Sequence, residues 1–272
     1  MNDRVSSWHD IQCLVQRNVL RLVVGFTLFP GPTYGQATQS QSDPLAASIA
    51  RAKTGDVSNA DVETIAKARA VQAIPALEVQ FARTTDLDTK AKIADGLVRL
   101  GDNDNTYWNF LLQQATLAVD SDLPAPFHDS QGNATGRELS PEFKAWVQAH
   151  NVDVSTAVRS AIYDLPGKVL QLGEAVDPRG IPLLRRALQS HNPMIVIMAS
   201  KGLAQIQDKD SIPLIIDACR MAPKGYDGAI AESSLVFFDD PQAQSAVDTY
   251  VPKQRAKIIR DARAHGMKPL GY

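Results

Sequence analysis

DPRGIPLL, at residues 177–184, returns as DKDSIPLI at residues 208–215, and these two copies decide the fold. Their Ile-Pro pairs lie 31 residues apart (212 minus 181). In each copy a residue that can cap a helix, Asp or Ser, precedes a proline that fits the first helical turn, where its missing N–H costs no hydrogen bond. Apolar residues then recur every three or four positions, which predicts a helix with one apolar face. Because one such unit cannot bury that face alone, the period predicts stacked helical units.

A second helix completes each unit. After a turn at residues 189–193, residues 195–206 are almost all apolar or small, which favours a helix that its neighbours approach closely. Weaker copies of the unit begin at Ile74-Pro75, Tyr107-Trp108 and Asp240-Pro241. The sequence therefore predicts an all-α solenoid, with helical repeats over residues 58–118 and 153–268.

This order of an aspartate, an Ile-Pro pair and an alanine-rich second helix resembles the HEAT-repeat family, in particular short bacterial repeats of the PBS-lyase-like type. The resemblance extends over residues 175–247 and, in weaker form, over residues 70–117. The arginine that is usual in the second helix is missing, because Met194-Ile195-Val196 occupies that stretch. The resemblance implies a right-handed α-α superhelix used for protein binding, and it implies no chemistry.

The amino terminus has the layout of a secretory signal. Arg17 and Arg21 precede the apolar run 22–29, which is too short to span a bilayer, and helix breakers and small residues follow as far as Ala37. We expect a signal peptide at residues 1–37, cleaved after Ala37, and therefore a periplasmic or secreted protein. Residues 38–57 are expected to form a flexible spacer. The alternative is an extension without a targeting role, and the true start codon stays open.

Residues 119–152 are the part least like a repeat. They combine prolines, glycines and turn-forming polar residues with a helix start at Ser140-Pro141. An irregular stretch of this length inside a solenoid is expected to be a binding loop or disordered. The residues predicted to contact a protein partner are Tyr107, Trp108, Phe127, His128 and Asp129. The alternative is that this segment fills the groove of the solenoid, with Phe127 and Trp146 as buried anchors.

The last predicted helix is strongly basic. Its positive residues are Lys253, Arg255, Lys257, Arg260 and Arg263. One interpretation is contact with an anionic surface, either an acidic protein or a membrane. The other is a polar cap that ends the stack without exposing an apolar face.

Composition narrows the function classes. The net charge of −2 gives no general attraction to nucleic acid, and no phosphate loop, dinucleotide fingerprint or nucleophile elbow occurs. The histidines are scattered without zinc spacing, so no metal or cofactor is expected. Cys219 is the one cysteine that follows the leader, and it continues an apolar stripe, which favours a buried side chain over a reactive thiol.

We therefore expect an exported, monomeric scaffold or adaptor that binds another protein or peptide through its groove and insertion, without catalysis of its own. Two alternatives stay open. One is a ligand-carrying protein of the bilin-lyase type that assists an enzyme. The other is an envelope protein that contacts an anionic membrane surface through its basic last helix.

Overall fold

The computed structural model describes residues 43–102, 104–127 and 138–270. The predicted signal peptide therefore lies outside the described residues, as do His128 and Asp129 of the predicted contact site. Within the described ranges all regular structure is helical, which confirms the all-α prediction. The prediction of a flexible spacer over residues 38–57 is wrong for Pro44–Thr54, which form a helix capped by the side chain of Asp43.

The helices follow one another with short connections. They are α1 Pro44–Thr54, α2 Asn59–Lys67, α3 Ile74–Arg83, α4 Leu87–Arg99, α5 Asn105–Asp120, α6 Pro141–His150, α7 Val154–Arg159, α8 Leu165–Glu174, α9 Ile181–Ala187, α10 Pro193–Ile206, α11 Ile212–Met221, α12 Asp227–Ser233, α13 Pro241–Tyr250 and α14 Lys253–Ala264.

These helices stack as helix pairs, which confirms the predicted solenoid. The pairs are α1 with α2, α3 with α4, α5 with α8, α9 with α10, α11 with α12, and α13 with α14. The second helices of successive pairs pack against one another in one row, which runs α2, α4, α8, α10, α12. One apolar core is continuous along the stack from Ala52 to Ile259.

Each unit begins and ends in the same way along the stack. Turns of 3-10 helix at Val71–Ala73, Pro178–Gly180 and Lys209–Ser211 lead directly into the Ile-Pro pairs that open α3, α9 and α11. The second helices end at residues with left-handed backbone, which are Arg69, Gly101, Val176 and Gln207. After α4, for example, Gly101 N–H donates to the Val98 carbonyl and Asp102 N–H donates to the Leu97 carbonyl. This arrangement satisfies helix-end carbonyls and turns the chain toward the next unit.

The third unit is split by the irregular segment. Its first helix is α5 and its second is α8, so the insertion occupies residues 121–164 rather than the predicted 119–152. A π-helical turn at Ser160–Asp164 joins α7 to α8, which makes residues 154–174 one uninterrupted helix. Its first half extends beyond the stack because it packs on α6 instead.

The insertion has a small core of its own. Ser140 caps α6 as predicted, with its hydroxyl accepting from Phe143 N–H at 3.1 Å. The side chains that hold this second core are Leu123, Phe143, Val147, Ala157 and Ala161. The alternative that named Phe127 and Trp146 as buried anchors is therefore wrong, since both are partly exposed. Burial of the other face of α6, through Phe143 and Val147, does that work.

Asn192 fastens the insertion to the stack. This fully buried residue caps α10 by accepting from Met194 N–H at 3.0 Å, and its Nδ2 donates to the Ala161 carbonyl in the π turn at 2.7 Å. A π turn shifts the usual helical hydrogen bonds, and the Asn192 amide supplies a partner to a carbonyl at that point.

We expect Asn192→Ala to lower the free energy of unfolding by about 2–4 kcal/mol, because it removes a helix cap and leaves a buried carbonyl without that donor. Asn192→Ser restores the cap without reaching Ala161, so it should recover about 1 kcal/mol of the loss. Urea unfolding of the three proteins measures both steps. Equal stability of all three would contradict this role of Asn192.

Candidate functional site

A groove lies where the carboxyl ends of four second helices meet. It has a volume of about 800 Å³ and is lined by the ends of α2, α4, α8 and α10, together with Lys268 and Pro269 of the carboxyl-terminal segment. We call this the helix-end groove. Its volume is within the range of sites that hold a small ligand or several residues of a peptide. Three of the four left-handed helix-end residues line or flank it because they place the chain there in each unit.

The side chains of the helix-end groove are mainly basic. Lys67, Arg69, Arg99 and Lys268 line it, and Asp177 is its acidic residue. The Asp177 carboxylate is engaged by the Arg179 guanidinium, with Nη2 to Oδ2 at 2.7 Å. Basic side chains at helix carboxyl ends also stabilise the helix dipole, which accounts for part of this arrangement. It does not account for Lys268, which lies beyond the last helix.

Two further features mark the groove. Gln205 Oε1 is buried and has no hydrogen-bond partner within the described part of the chain, although Gln205 lines the groove. Val176 has a φ of 52° and a side chain that is 42% exposed. A β-branched residue in the left-handed region is strained, and such strain persists only where the surroundings enforce it.

Next to the groove, five charged residues join three second helices, and we call them the three-helix ion cluster. They are Glu63 of α2, Lys92, Asp95 and Arg99 of α4, and Glu174 of α8. Lys92 is central, with Nζ at 3.1 Å from Glu63 Oε2, 3.0 Å from Asp95 Oδ2 and 2.7 Å from Glu174 Oε2. Arg99 belongs to both the cluster and the groove, so the two features are structurally linked.

Asp95 and Glu63 have pKa values shifted in opposite directions. Complete burial raises the pKa of Asp95 to about 6, with Glu174 adding to the rise and Lys92 opposing it. Burial also disfavours the charged form of Glu63, but the hydrogen bond from Arg99 and the charge of Lys92 outweigh it and lower that pKa to about 2. Three carboxylates facing two cations leave one excess negative charge, and the most buried carboxyl takes up the proton.

These shifts predict a specific dependence of stability on pH. Because the pKa of Asp95 is raised on folding, its contribution to stability is present at low pH and is lost as pH rises from about 4 to about 6. Glu63 acts oppositely, since its contribution is present above about 4.5 and is lost as pH falls toward 2. We expect Asp95→Asn to remove the loss between pH 4 and 6, and to be about 1–3 kcal/mol more stable than the wild type at pH 7. Urea unfolding at a series of pH values measures this, and an unchanged profile between pH 4 and 6 would refute it.

The comparisons with known proteins agree with this architecture. Residues 167–236, which contain both copies of the deciding motif, match the family model described as HEAT repeats. The chain carries HEAT repeats. The finer resemblance to PBS-lyase-like repeats stays a prediction. No curated protein and no solved structure gives a significant match to the chain.

Along the HEAT stack, charges in the second helices alternate in sign from unit to unit. The order is Glu63, Lys92, Glu174, Lys201, Glu232 and Arg255. Burial lowers the pKa of Lys201, and the charge of Glu232 partly offsets that effect. Glu232 in turn pairs with Arg255. The row is therefore largely self-neutralising, in contrast to the basic helix-end groove beside it.

Two of the predicted contact residues belong to the core of the HEAT stack. Tyr107 is 7% exposed and packs edge-on against Phe81, with ring centroids 4.9 Å apart. Its hydroxyl donates to Glu78 Oε1 at 3.5 Å, and burial raises its pKa to about 12. Trp108 is 4% exposed and lies under the Arg179 guanidinium at 4.5 Å. Their prediction as surface contacts is wrong, because the aromatic start of α5 packs inward.

The remaining predicted contact residues belong to the insertion. Phe127 is partly exposed, and it is not part of the second core. His128 and Asp129 lie outside the described residues. The structure therefore brings none of the five predicted contact residues together into a surface.

The basic residues of α14 are mostly engaged in ion pairs. The pairs are Arg255–Glu232, Lys257–Asp261, Arg260–Asp248 and Arg263–Asp239. Arg263 also donates to the Val236 carbonyl at 3.0 Å, while Ala256 and Ile259 face the core. This arrangement favours the polar cap over an open anion-binding surface.

Three sequence-based points concern chemistry. Cys219 is 1% exposed and burial raises its pKa to about 12, which confirms the buried side chain. Among the described residues, no group of three or more His, Cys, Asp or Glu residues is arranged to hold a metal ion. No helix of the described ranges is long and apolar enough to cross a membrane.

Sequence reasoning missed both the helix-end groove and the three-helix ion cluster. A signal for the cluster was present, because Lys92, Asp95 and Arg99 recur at helical spacing beside the apolar stripe of α4. No sequence signal existed for the groove. Its lining residues come from five separate segments of the chain, and only the curvature of the stack brings them together.

Proposed function

We propose that the protein is an exported HEAT-repeat scaffold that binds a protein partner and performs no catalysis of its own. HEAT repeats form helical-repeat scaffolds that commonly mediate protein interactions. The observation that carries the proposal is the helix-end groove, which lies along one edge of the second-helix row and offers contacts from four successive units. A surface assembled from several units suits an extended partner better than a compact small molecule.

Affinity capture with chemical cross-linking tests this function. The protein carrying a carboxyl-terminal tag is expressed in its source cells, cross-linked and purified, and bound proteins are identified by mass spectrometry. We expect one protein in stoichiometric amount, with cross-links to lysines near the groove such as Lys67 and Lys268. Recovery of no protein, but of a small molecule retained by the purified chain, would contradict the scaffold and favour a ligand carrier.

Export rests on the sequence pattern of residues 1–37 alone. The intact mass of the same purified protein tests it. We expect a chain that begins at Thr38, because cleavage should follow Ala37. A mass that retains the whole amino terminus would refute export by this signal.

A further inference from the structure

We infer that the helix-end groove binds an acidic peptide segment of the partner. This inference rests on the proposed scaffold function and names the chemistry of its ligand. The groove presents four basic side chains from three separate segments, at the ends of α2 and α4 and in the carboxyl-terminal segment. Cations spread in this way match several carboxylates along a chain better than one compact anion.

Arg69 and Lys268 are the cations most available to a ligand. Both are exposed, and within residues 43–102, 104–127 and 138–270 neither forms an ion pair. Arg99 is held by Glu63 and Asp95, so it contributes a fixed positive charge at the base of the groove. Asp177 does not cancel this field, because Arg179 neutralises it.

The buried Gln205 oxygen separates a peptide from a simple anion. Gln205 Oε1 accepts no hydrogen bond within the described residues, and such an acceptor gains stability from a donor. A fully ionised carboxylate or phosphate can only accept hydrogen bonds, whereas a peptide backbone supplies N–H donors. The rest of the lining includes small apolar residues such as Ala66, Ala175 and Ala204, which allow a backbone to approach closely.

Fluorescence anisotropy with three labelled octapeptides tests the inference. The peptides alternate Ala with Glu, with Gln or with Lys. We expect the Glu peptide to bind, with affinity that falls as salt rises, and the Gln and Lys peptides to bind much more weakly. Inorganic phosphate at millimolar concentration is the competitor, and we expect it not to displace the peptide. Equal binding of the Glu and Gln peptides, or full displacement by phosphate, would overturn the inference.

A matched pair of double variants locates the site. Arg69→Glu with Lys268→Glu alters the groove, while Lys53→Glu with Lys224→Glu makes the same change in net charge at exposed positions that do not line it. We expect the groove variant to bind the Glu peptide about tenfold more weakly or worse, and the control variant to bind it as the wild type does. Equal weakening in both variants would show a general charge effect and would also overturn the inference.

Failure of this inference is distinguishable from failure of the proposed function. If the groove variant loses no affinity for the peptide but still captures a stoichiometric partner, the scaffold stands and the groove assignment is wrong. If neither the wild type nor the variant captures a protein, the scaffold function itself is wrong.

Discussion

Gly173→Ala is expected to lower the free energy of unfolding by about 2 kcal/mol, which is a drop in Tm of about 4–8 °C for a chain of this size. The added methyl group would lie 2.6 Å from the Gly202 Cα, which is backbone of the facing helix and cannot rotate away. Gly202 meets the Gly173 Cα in the same manner, so α8 and α10 are in contact through their backbones at this point. Either the two helices separate or the methyl group is compressed.

Gly167→Ala in the same continuous helix is the matched control. A Cβ at Gly167 would meet no atom within 4 Å. Because alanine is the better helix former, this variant should be unchanged or more stable by up to about 1 kcal/mol. Thermal unfolding of both variants measures the difference. An equal loss in the two variants would contradict the close approach of α8 and α10.

Lys92→Met is expected to cost about 3–5 kcal/mol, because it leaves the carboxylates of the three-helix ion cluster without their central cation. The Lys92 ammonium is 12% exposed and contacts three carboxylates, whereas an exposed pair such as Lys257–Asp261 is in water. Lys257→Met is therefore the control, with an expected loss below about 1 kcal/mol. Chemical unfolding at pH 7 measures both variants.

Protonation of the cluster provides a second test of the same prediction. Lowering the pH to about 5 should reduce the loss in Lys92→Met, because a neutral Asp95 needs no cation. Combining Lys92→Met with Asp95→Asn should also recover part of the stability at pH 7. A loss that is the same at both pH values and in the double variant would refute the electrostatic explanation.

The repeat could be predicted from the sequence wherever local chemistry carried it. The Ile-Pro pairs, the Ser140 cap and the apolar stripes fix helices through interactions within a few residues, and these predictions were confirmed. The left-handed helix ends could not be predicted in the same way. Three of the four are Arg69, Val176 and Gln207 rather than glycine, and the packing of the next unit imposes their conformation.

The errors concern residues whose burial depends on distant parts of the chain. Trp108 resembles a surface aromatic until α9 and its preceding turn pack over it, with Arg179 above the ring. The insertion was assigned to residues 119–152 because its last part is helical and resembles the start of a repeat. Only the pairing of α5 with α8 across 44 intervening residues shows that residues 121–164 interrupt a single unit.

Hydrogen–deuterium exchange of the protein alone and in complex with its captured partner tests the central claim, that the partner binds at the helix-end groove. We predict slower exchange on binding at residues 66–70, 98–102, 175–180 and 204–208, with little change in α14. Slower exchange confined to α14 and to the basic residues of its exposed face would contradict the claim and would favour binding by the last helix.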